Sequence, residues 1–191
     1  AQVVEGSSQL LRPYGYFGSV MGVAAAALVA WTVGADAWLL VAAMSVGACV
    51  TQPFGRLRCL VQGCCHGHRV DAAWGIRYRH PRSRVLRLGG LGGVPLHPTP
   101  LYSILWTLLA GALLLRLWMS GAPLPAVPGA YLFLVGVGRF VEEHYRGEPQ
   151  TAWLAGLRLY QWLAIGFVAV GAGLTAVAGA PATSKSAAST P

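Results

Sequence analysis

The chain alternates long apolar runs with short polar breaks. Tyr16 to Val33 is almost wholly apolar or small, and Gly34-Ala35-Asp36 offers a tight turn into a second apolar run, Trp38 to Val50. Runs of this kind approach the roughly 20 residues that a helix needs to cross the hydrocarbon of a bilayer, and they predict spans over about 16–33 and 37–52. From Pro53 to Pro98 the pattern breaks into glycines, prolines and arginines, with Gly89-Gly90-Leu91-Gly92-Gly93 denying regular structure, so a polar excursion is expected over 53–98. Inside it, Trp74-Gly75-Ile76-Arg77-Tyr78-Arg79 alternates bulky and basic residues and predicts a short strand in a small extramembrane lobe. Thr99 can cap a helix whose first turn accepts Pro100, giving a third span over 100–119. After the proline-rich break Gly121 to Pro128, a fourth apolar helix over 128–141 ends among Glu142, Glu143, His144 and Arg146, and a fifth covers 157–178. The Ser, Ala and Thr tail, 179–191, cannot build a core and is expected to be disordered. The predicted fold is all-α: one polytopic transmembrane bundle of about five helices, residues 1–178, with a small extramembrane loop region.

Composition supports the bilayer as solvent. Hydrophobic residues make up 55% of the chain, charged residues 10%, and the mean hydropathy is +0.54, too little polar surface to cover a soluble globule. Near the start, no basic segment, short apolar run and small-residue cleavage site occur together, so no signal peptide is expected in the sequence given. The net charge of +8 is carried almost entirely by arginine, Lys185 being the only lysine, which favours planar, bidentate anion recognition. No groove-reading or single-strand motif accompanies these arginines, so the expected partner is an anionic phospholipid and the membrane, with no nucleic acid. An alternating path places residues before Tyr16, the excursion and the 142–156 connection on one face. Charge bias alone makes that face cytoplasmic, but arginines kept for a ligand are not free topological signals.

Three clusters carry candidate chemistry. The first is Gly55-Arg56-Leu57-Arg58-Cys59-Leu60-Val61-Gln62-Gly63-Cys64-Cys65-His66-Gly67-His68. Here Arg56 at the membrane boundary can pair with phosphate while Gly63 and Gly67 let backbone N–H groups approach the ligand. A solitary arginine in such a place simply snorkels; the clustering favours a site. Its cysteines and histidines are of metal-ligand type, yet adjacent Cys64 and Cys65 rarely reach one tetrahedral ion together and no further pair follows at a zinc-finger spacing, so no metal and no cofactor is expected. Cys49, inside the second span, reads as apolar packing, which is open for Cys59 as well, whereas Cys64 or Cys65 becomes a nucleophile if neighbouring cations lower its pKa. The second cluster, His97-Pro98-Thr99-Pro100-Leu101-Tyr102, sets a proton-exchanging histidine one turn from a hydroxyl donor. The third, Gly138-Arg139-Phe140-Val141-Glu142-Glu143-His144-Tyr145-Arg146, puts Arg139, Glu143 and Arg146 on one helical face.

Taken in order, Gly55-Arg56 with Gly63 and Gly67, His97-Pro98-Thr99 with Leu101-Tyr102, Arg139-Phe140-Val141-Glu142-Glu143 with Arg146, and the late Leu159-Tyr160-Gln161 resemble the prolipoprotein diacylglyceryl transferase family, from about Tyr14 to Gly173. The resemblance implies a helical membrane enzyme of the bacterial inner membrane. It would move diacylglycerol from phosphatidylglycerol to a lipobox cysteine, release glycerol phosphate, and keep its arginine face outside the cytoplasm. The departures are specific. Arg58, Cys59, Gln62 and Cys64 stand where the family pattern G-R-x-G-N-F-x-N-G-E has glycine, two asparagines and glutamate, and the chain has no asparagine. Phe17-Gly18-Ser19 replaces the early H-G-G, and Pro100 and Ser103 replace glutamine and glutamate. The family's first spans have no counterpart here.

The site expected from this reading comprises Arg56, His97, Tyr102, Arg139, Glu143, Cys64, Cys65 and His66 as catalytic candidates. Arg56, Gly63, Gly67, Tyr102, Arg139 and Arg146 are the binding candidates. His66, His68 and His97 are alternative bases for the missing histidine, and Cys64-Cys65 offers a thiol in place of, or in transit to, the acceptor. Two other readings stay open: a catalytically silent lipid-binding protein, and a metal or thiol-redox protein centred on Cys59 to His68.

Overall fold

The computed structural model describes residues 16–147 and 153–179. The stretch before Tyr16 and the tail expected to be disordered, apart from Gly179, lie outside the described residues. In chain order the elements are α1 (Tyr16–Thr32), α2 (Ala37–Gln62), β1 (Ile76–Arg77), α3 (Arg84–Gly89), β2 (Pro95–Leu96), α4 (Thr99–Met119), α5 (Ala126–Tyr145), β3 (Trp153–Leu154), β4 (Leu157–Arg158) and α6 (Leu159–Gly179). The class is all-α. Among the described residues, three helices, α2, α4 and α6, are long and apolar enough to cross a membrane, at 26, 21 and 21 residues. At about 1.5 Å rise per residue, 21 residues span roughly 31 Å, the thickness of the hydrocarbon layer. Leu105, Leu108, Leu109, Leu113 and Leu115 stand exposed around α4, where lipid rather than protein is the natural covering.

The chain divides into two compact units, Ala1–Met44 and Ser45–Pro191. In the first, α1 closes on Gly34, whose left-handed φ of 73° admits the turn. The Asp36 carboxylate then accepts the N–H groups of Trp38 and Leu39 at 2.9 and 3.0 Å, capping the start of α2.

The second unit holds the site. The hydrophobic pattern ends the second span before Pro53, where the polar excursion was placed; the helix instead runs on to Gln62 with Pro53 inside it. Proline removes one helical donor and crowds the preceding turn, but contacts on both sides of it hold the helix. Gln52 donates to the Tyr131 hydroxyl at 2.7 Å and Arg56 pairs with Glu142 at 3.0 Å. Thr99 does not cap α4: it is the first helical residue, Pro98 takes the cap position, and the Thr99 hydroxyl donates to the Cys65 carbonyl. The fourth helix is longer at both ends than its apolar run, because Pro128 is tolerated in the first turn and the acidic pair continues the last one. A Cβ at Gly136 would stand 2.8 Å from the Ala164 carbonyl oxygen, and one at Gly171 2.5 Å from that of Gly129, so small residues let α5 and α6 approach backbone to backbone.

Between α2 and α4 the excursion forms a lobe. The expected strand is there as β1, antiparallel to β2 with Ile76 opposite Leu96, and a small core of Tyr78, Val85 and Leu96 lies beneath it. Of two isolated bridges, Gly67 with Arg146 fastens the lobe to the end of α5, and Arg69 with Leu96 ties the lobe to itself.

Candidate functional site

The C-terminal ends of α2 and α5 meet the N-terminal ends of α4 and α6 around two adjacent carboxylates. The Glu143 side chain has no exposed surface and faces three guanidiniums: Arg139 Nη2 at 3.1 Å, Arg146 Nη1 at 3.3 Å and Arg158 Nη1 at 3.5 Å. Glu142 takes Arg56 Nη2 at 3.0 Å and Arg139 Nη1 at 3.3 Å, and accepts the Ser103 hydroxyl at 2.8 Å. Four cations thus surround two anions. Burying such groups is tolerable only while each charge is matched, and the two surplus positive charges define a place where an anion is stabilised. Exposure differs among the arginines: the Arg56 and Arg139 side chains are 25% and 17% exposed, that of Arg146 only 3%. The Tyr160 ring lies 4.7 Å from the Arg139 guanidinium carbon, a cation–π contact, and the Gln161 side chain accepts the Arg158 N–H at 3.0 Å. The Leu159-Tyr160-Gln161 signature therefore holds two of the four arginines.

Arg139, Glu143 and Arg146 were read as one helical row. The helix in fact ends at Tyr145, Arg146 is extended, and its side chain reaches back to Glu143. His97 and Tyr102 do meet, with Nδ1 3.1 Å from the hydroxyl, and the Tyr145 ring packs 5.3 Å from His97. Gly63 ends α2 in the left-handed region at φ 68°, where a Cβ would stand 2.5 Å from the Ser83 hydroxyl. The N–H of Gly67 donates to the His97 carbonyl at 2.9 Å. His66 is buried with Nδ1 3.1 Å from the Gly67 carbonyl, while His68 lines a cavity of about 440 Å³ together with His66, Arg69 and Leu96. A Cβ on Gly67 would stand 2.5 Å from His97 Cβ and 2.7 Å from the Tyr145 carbonyl oxygen. Gly67→Ala should therefore cost about 1–3 kcal/mol, as overpacking does, seen as a lower unfolding temperature in micelles; an unchanged transition would show that the lobe shifts freely there.

The cysteines gather more closely than their spacing suggests. Cys49 is buried, in keeping with packing, but Cys59 is not a separate packing residue: its sulfur and those of Cys64 and Cys65 all lie within 4.8 Å of one another. Arg146 Nη2 is 2.9 Å from Cys65 Sγ. Hydrogen bonds from Cys59 and Cys64, then the charges of Arg146 and Arg56, hold the Cys65 thiol well below its usual range against the opposing effect of burial.

Sequence reasoning missed the double pairing of Glu142 and the parts played by Ser103 and Arg158. Glu142 had a signal, its i,i+3 spacing from Arg139. Arg158 had only its place beside the Leu-Tyr-Gln triplet.

Fold and site together define a polytopic helical membrane protein with an arginine–carboxylate cluster buried at its helix ends. The chain belongs to the prolipoprotein diacylglyceryl transferase family, whose model matches residues 14–177. It is 30% identical over 104 residues to phosphatidylglycerol--prolipoprotein diacylglyceryl transferase 2 of Clostridium perfringens, covering 54% of this chain and 38% of that protein. Against the phosphatidylglycerol--prolipoprotein diacylglyceryl transferase of Methylibium petroleiphilum it is 34% identical over 176 residues, 86% of this chain and 61% of that protein. The protein of the same name in Solidesulfovibrio magneticus matches at 33% over 116 residues, 59% of this chain and 38% of the relative. The chain thus spans well under half of two of these relatives and about three fifths of the third.

Proposed function

We propose that the protein transfers a diacylglyceryl group from phosphatidylglycerol to a thiol acceptor and releases glycerol phosphate. The observation that carries this reading is the cluster of four arginines around Glu142 and Glu143, two positive charges in excess and open to a ligand through Arg56 and Arg139. In the proposed step the acceptor sulfur attacks the glycerol carbon, a C–S bond forms, the C–O bond to phosphate breaks, and glycerol phosphate leaves with the electron pair. Arg56 and Arg139 bind the phosphate and stabilise the charge that grows on it. Glu143, through Arg139, Arg146 and Arg158, is a positioning residue, and Tyr102 donates to the headgroup.

The thiol proton needs a base, and Phe17 stands where the family's early histidine is found. We assign that task to His97, whose Nδ1–H, donated to the Tyr102 hydroxyl oxygen, leaves Nε2 to take the proton. His66, buried against the Gly67 carbonyl, is the weaker candidate. The acceptor is taken to be a prolipoprotein cysteine, as the relatives' names state for those proteins, and the entering thiol is assigned to it rather than to Cys64 or Cys65. The arginine face is placed on the extracytoplasmic side of a bacterial inner membrane. Its cluster arginines are engaged with Glu142 and Glu143, which removes them from the charge-bias rule.

Purified protein in micelles, given phosphatidylglycerol labelled in its headgroup and a lipobox peptide, should release labelled glycerol phosphate and yield lipidated peptide. Tight lipid binding without release would instead support the silent lipid-binding reading, which Phe17 favours.

A further inference from the structure

We infer that Cys59, Cys64 and Cys65 form a three-thiolate site for a thiophilic d10 cation, Zn2+ or Cu+. Neighbouring cysteines in ordinary extended or helical conformation direct their side chains apart, but Cys64 stands between two left-handed residues, Gly63 at φ 68° and Cys65 at φ 59°. A left-handed conformation at a residue other than glycine is unfavourable and persists only where its surroundings fix it. Here the Cys64 N–H is bonded to the Cys59 carbonyl at 3.1 Å, and the Cys65 carbonyl is held by the Thr99 hydroxyl. The chain folds back on the last turn of α2, and thiols one, five and six residues apart converge.

The three sulfurs lie within 4.8 Å of one another. With a metal–sulfur bond of about 2.3 Å, sulfurs in a tetrahedral or trigonal centre stand roughly 3.8–4.0 Å apart, so side-chain rotation closes the site. Sulfur-only donors select soft cations over magnesium or calcium.

Charge completes the case. Three thiolates around Zn2+ carry one net negative charge and around Cu+ two. Arg146 Nη2 already rests 2.9 Å from Cys65 Sγ. The adjoining arginine–carboxylate cluster has two positive charges to spare, and the buried Arg146 Nε has no hydrogen-bond partner among the described residues. An anionic metal–thiolate centre is therefore matched by its surroundings in a way that neutral packing cysteines are not. Three protein ligands also leave a tetrahedral ion one position for a further donor, as in catalytic zinc centres.

The test needs no lipid and so stands apart from the transfer reaction. The full chain, reduced and in micelles, is titrated separately with Co2+ as the spectroscopic stand-in for Zn2+, with Zn2+ itself, and with Cu+. One equivalent of Co2+ should give a thiolate-to-metal charge-transfer band displaced by Zn2+, and saturating Zn2+ or Cu+ should protect three of the four thiols from titration. Retention of Zn2+ against a competing chelator favours a tetrahedral centre, and retention of Cu+ alone a trigonal one. Cys59→Ser and Cys65→Ser should each weaken binding at least about tenfold, and Arg146→Gln by about tenfold through loss of the neighbouring charge. Cys49→Ala, outside the cluster, should leave the band unchanged. Thermal unfolding of each variant without metal separates a folding defect from lost ligation. Unchanged Co2+ affinity in folded Cys59→Ser protein, or thiols of Cys59, Cys64 and Cys65 that stay freely titratable at saturating metal, overturns the proposal.

Discussion

Arg139→Ala should lower the rate of glycerol phosphate release by about 10²–10³-fold, the loss expected when one preorganised donor to a developing anion is removed. The size follows from position. Among the described residues, Arg139 alone touches both carboxylates, with Nη1 3.3 Å from Glu142 and Nη2 3.1 Å from Glu143, and its guanidinium lies under the Tyr160 ring. It is also partly exposed, so it both spans the cluster and is open to the proposed ligand. Arg139→Lys should recover little, because one ammonium cannot bridge two carboxylates and stack on a ring at once. The measurement is headgroup release and lipid binding in parallel: release should collapse while lipid affinity falls much less, since the Arg56 contact remains. Equal losses in both would make Arg139 a binding residue only, and an unchanged rate would remove the cluster from the reaction.

The apolar runs made the helices legible, because a 20-residue apolar stretch has few alternatives in any solvent. Helix ends were less so. Pro53 reads locally as a stop, but Gln52 and Arg56 are tied to residues about 80 positions along the chain, and that tie is invisible to a local pattern. The same holds for Thr99, a good cap by residue type whose hydroxyl is drawn instead to the loop carbonyl of Cys65. Within the site, Arg139 and Glu143 were readable from helical spacing. Arg158 and Ser103 were not, since each joins the carboxylates from another element, β4 and α4, and no spacing relates them. The thiols are a further case: the sulfurs of adjacent Cys64 and Cys65 converge with that of Cys59, with left-handed residues on either side of Cys64, which no spacing announces.

Glu143→Gln should be the most destabilising change in the cluster, costing about 3–5 kcal/mol, the range for breaking a buried ion pair and leaving its partners unmatched. In a chain of 191 residues that corresponds to a fall of roughly 10 °C in unfolding temperature. Glutamine preserves the volume and one acceptor oxygen, so the loss isolates charge from packing. Without the carboxylate, Arg139, Arg146 and Arg158 repel one another, and the Arg146 side chain, 3% exposed, has little route to water. Glu142→Gln should cost clearly less, because its partner Arg56 is 25% exposed and turns outward to be solvated. An added anion discriminates further. Inorganic phosphate that binds the folded Glu143→Gln protein in place of the lost charge raises its unfolding temperature by mass action, and it should raise it more than that of the unsubstituted chain. Equal destabilisation by the two substitutions, or no differential response to phosphate, would show that the surplus charge is neutralised elsewhere and that the cluster is not the anion site.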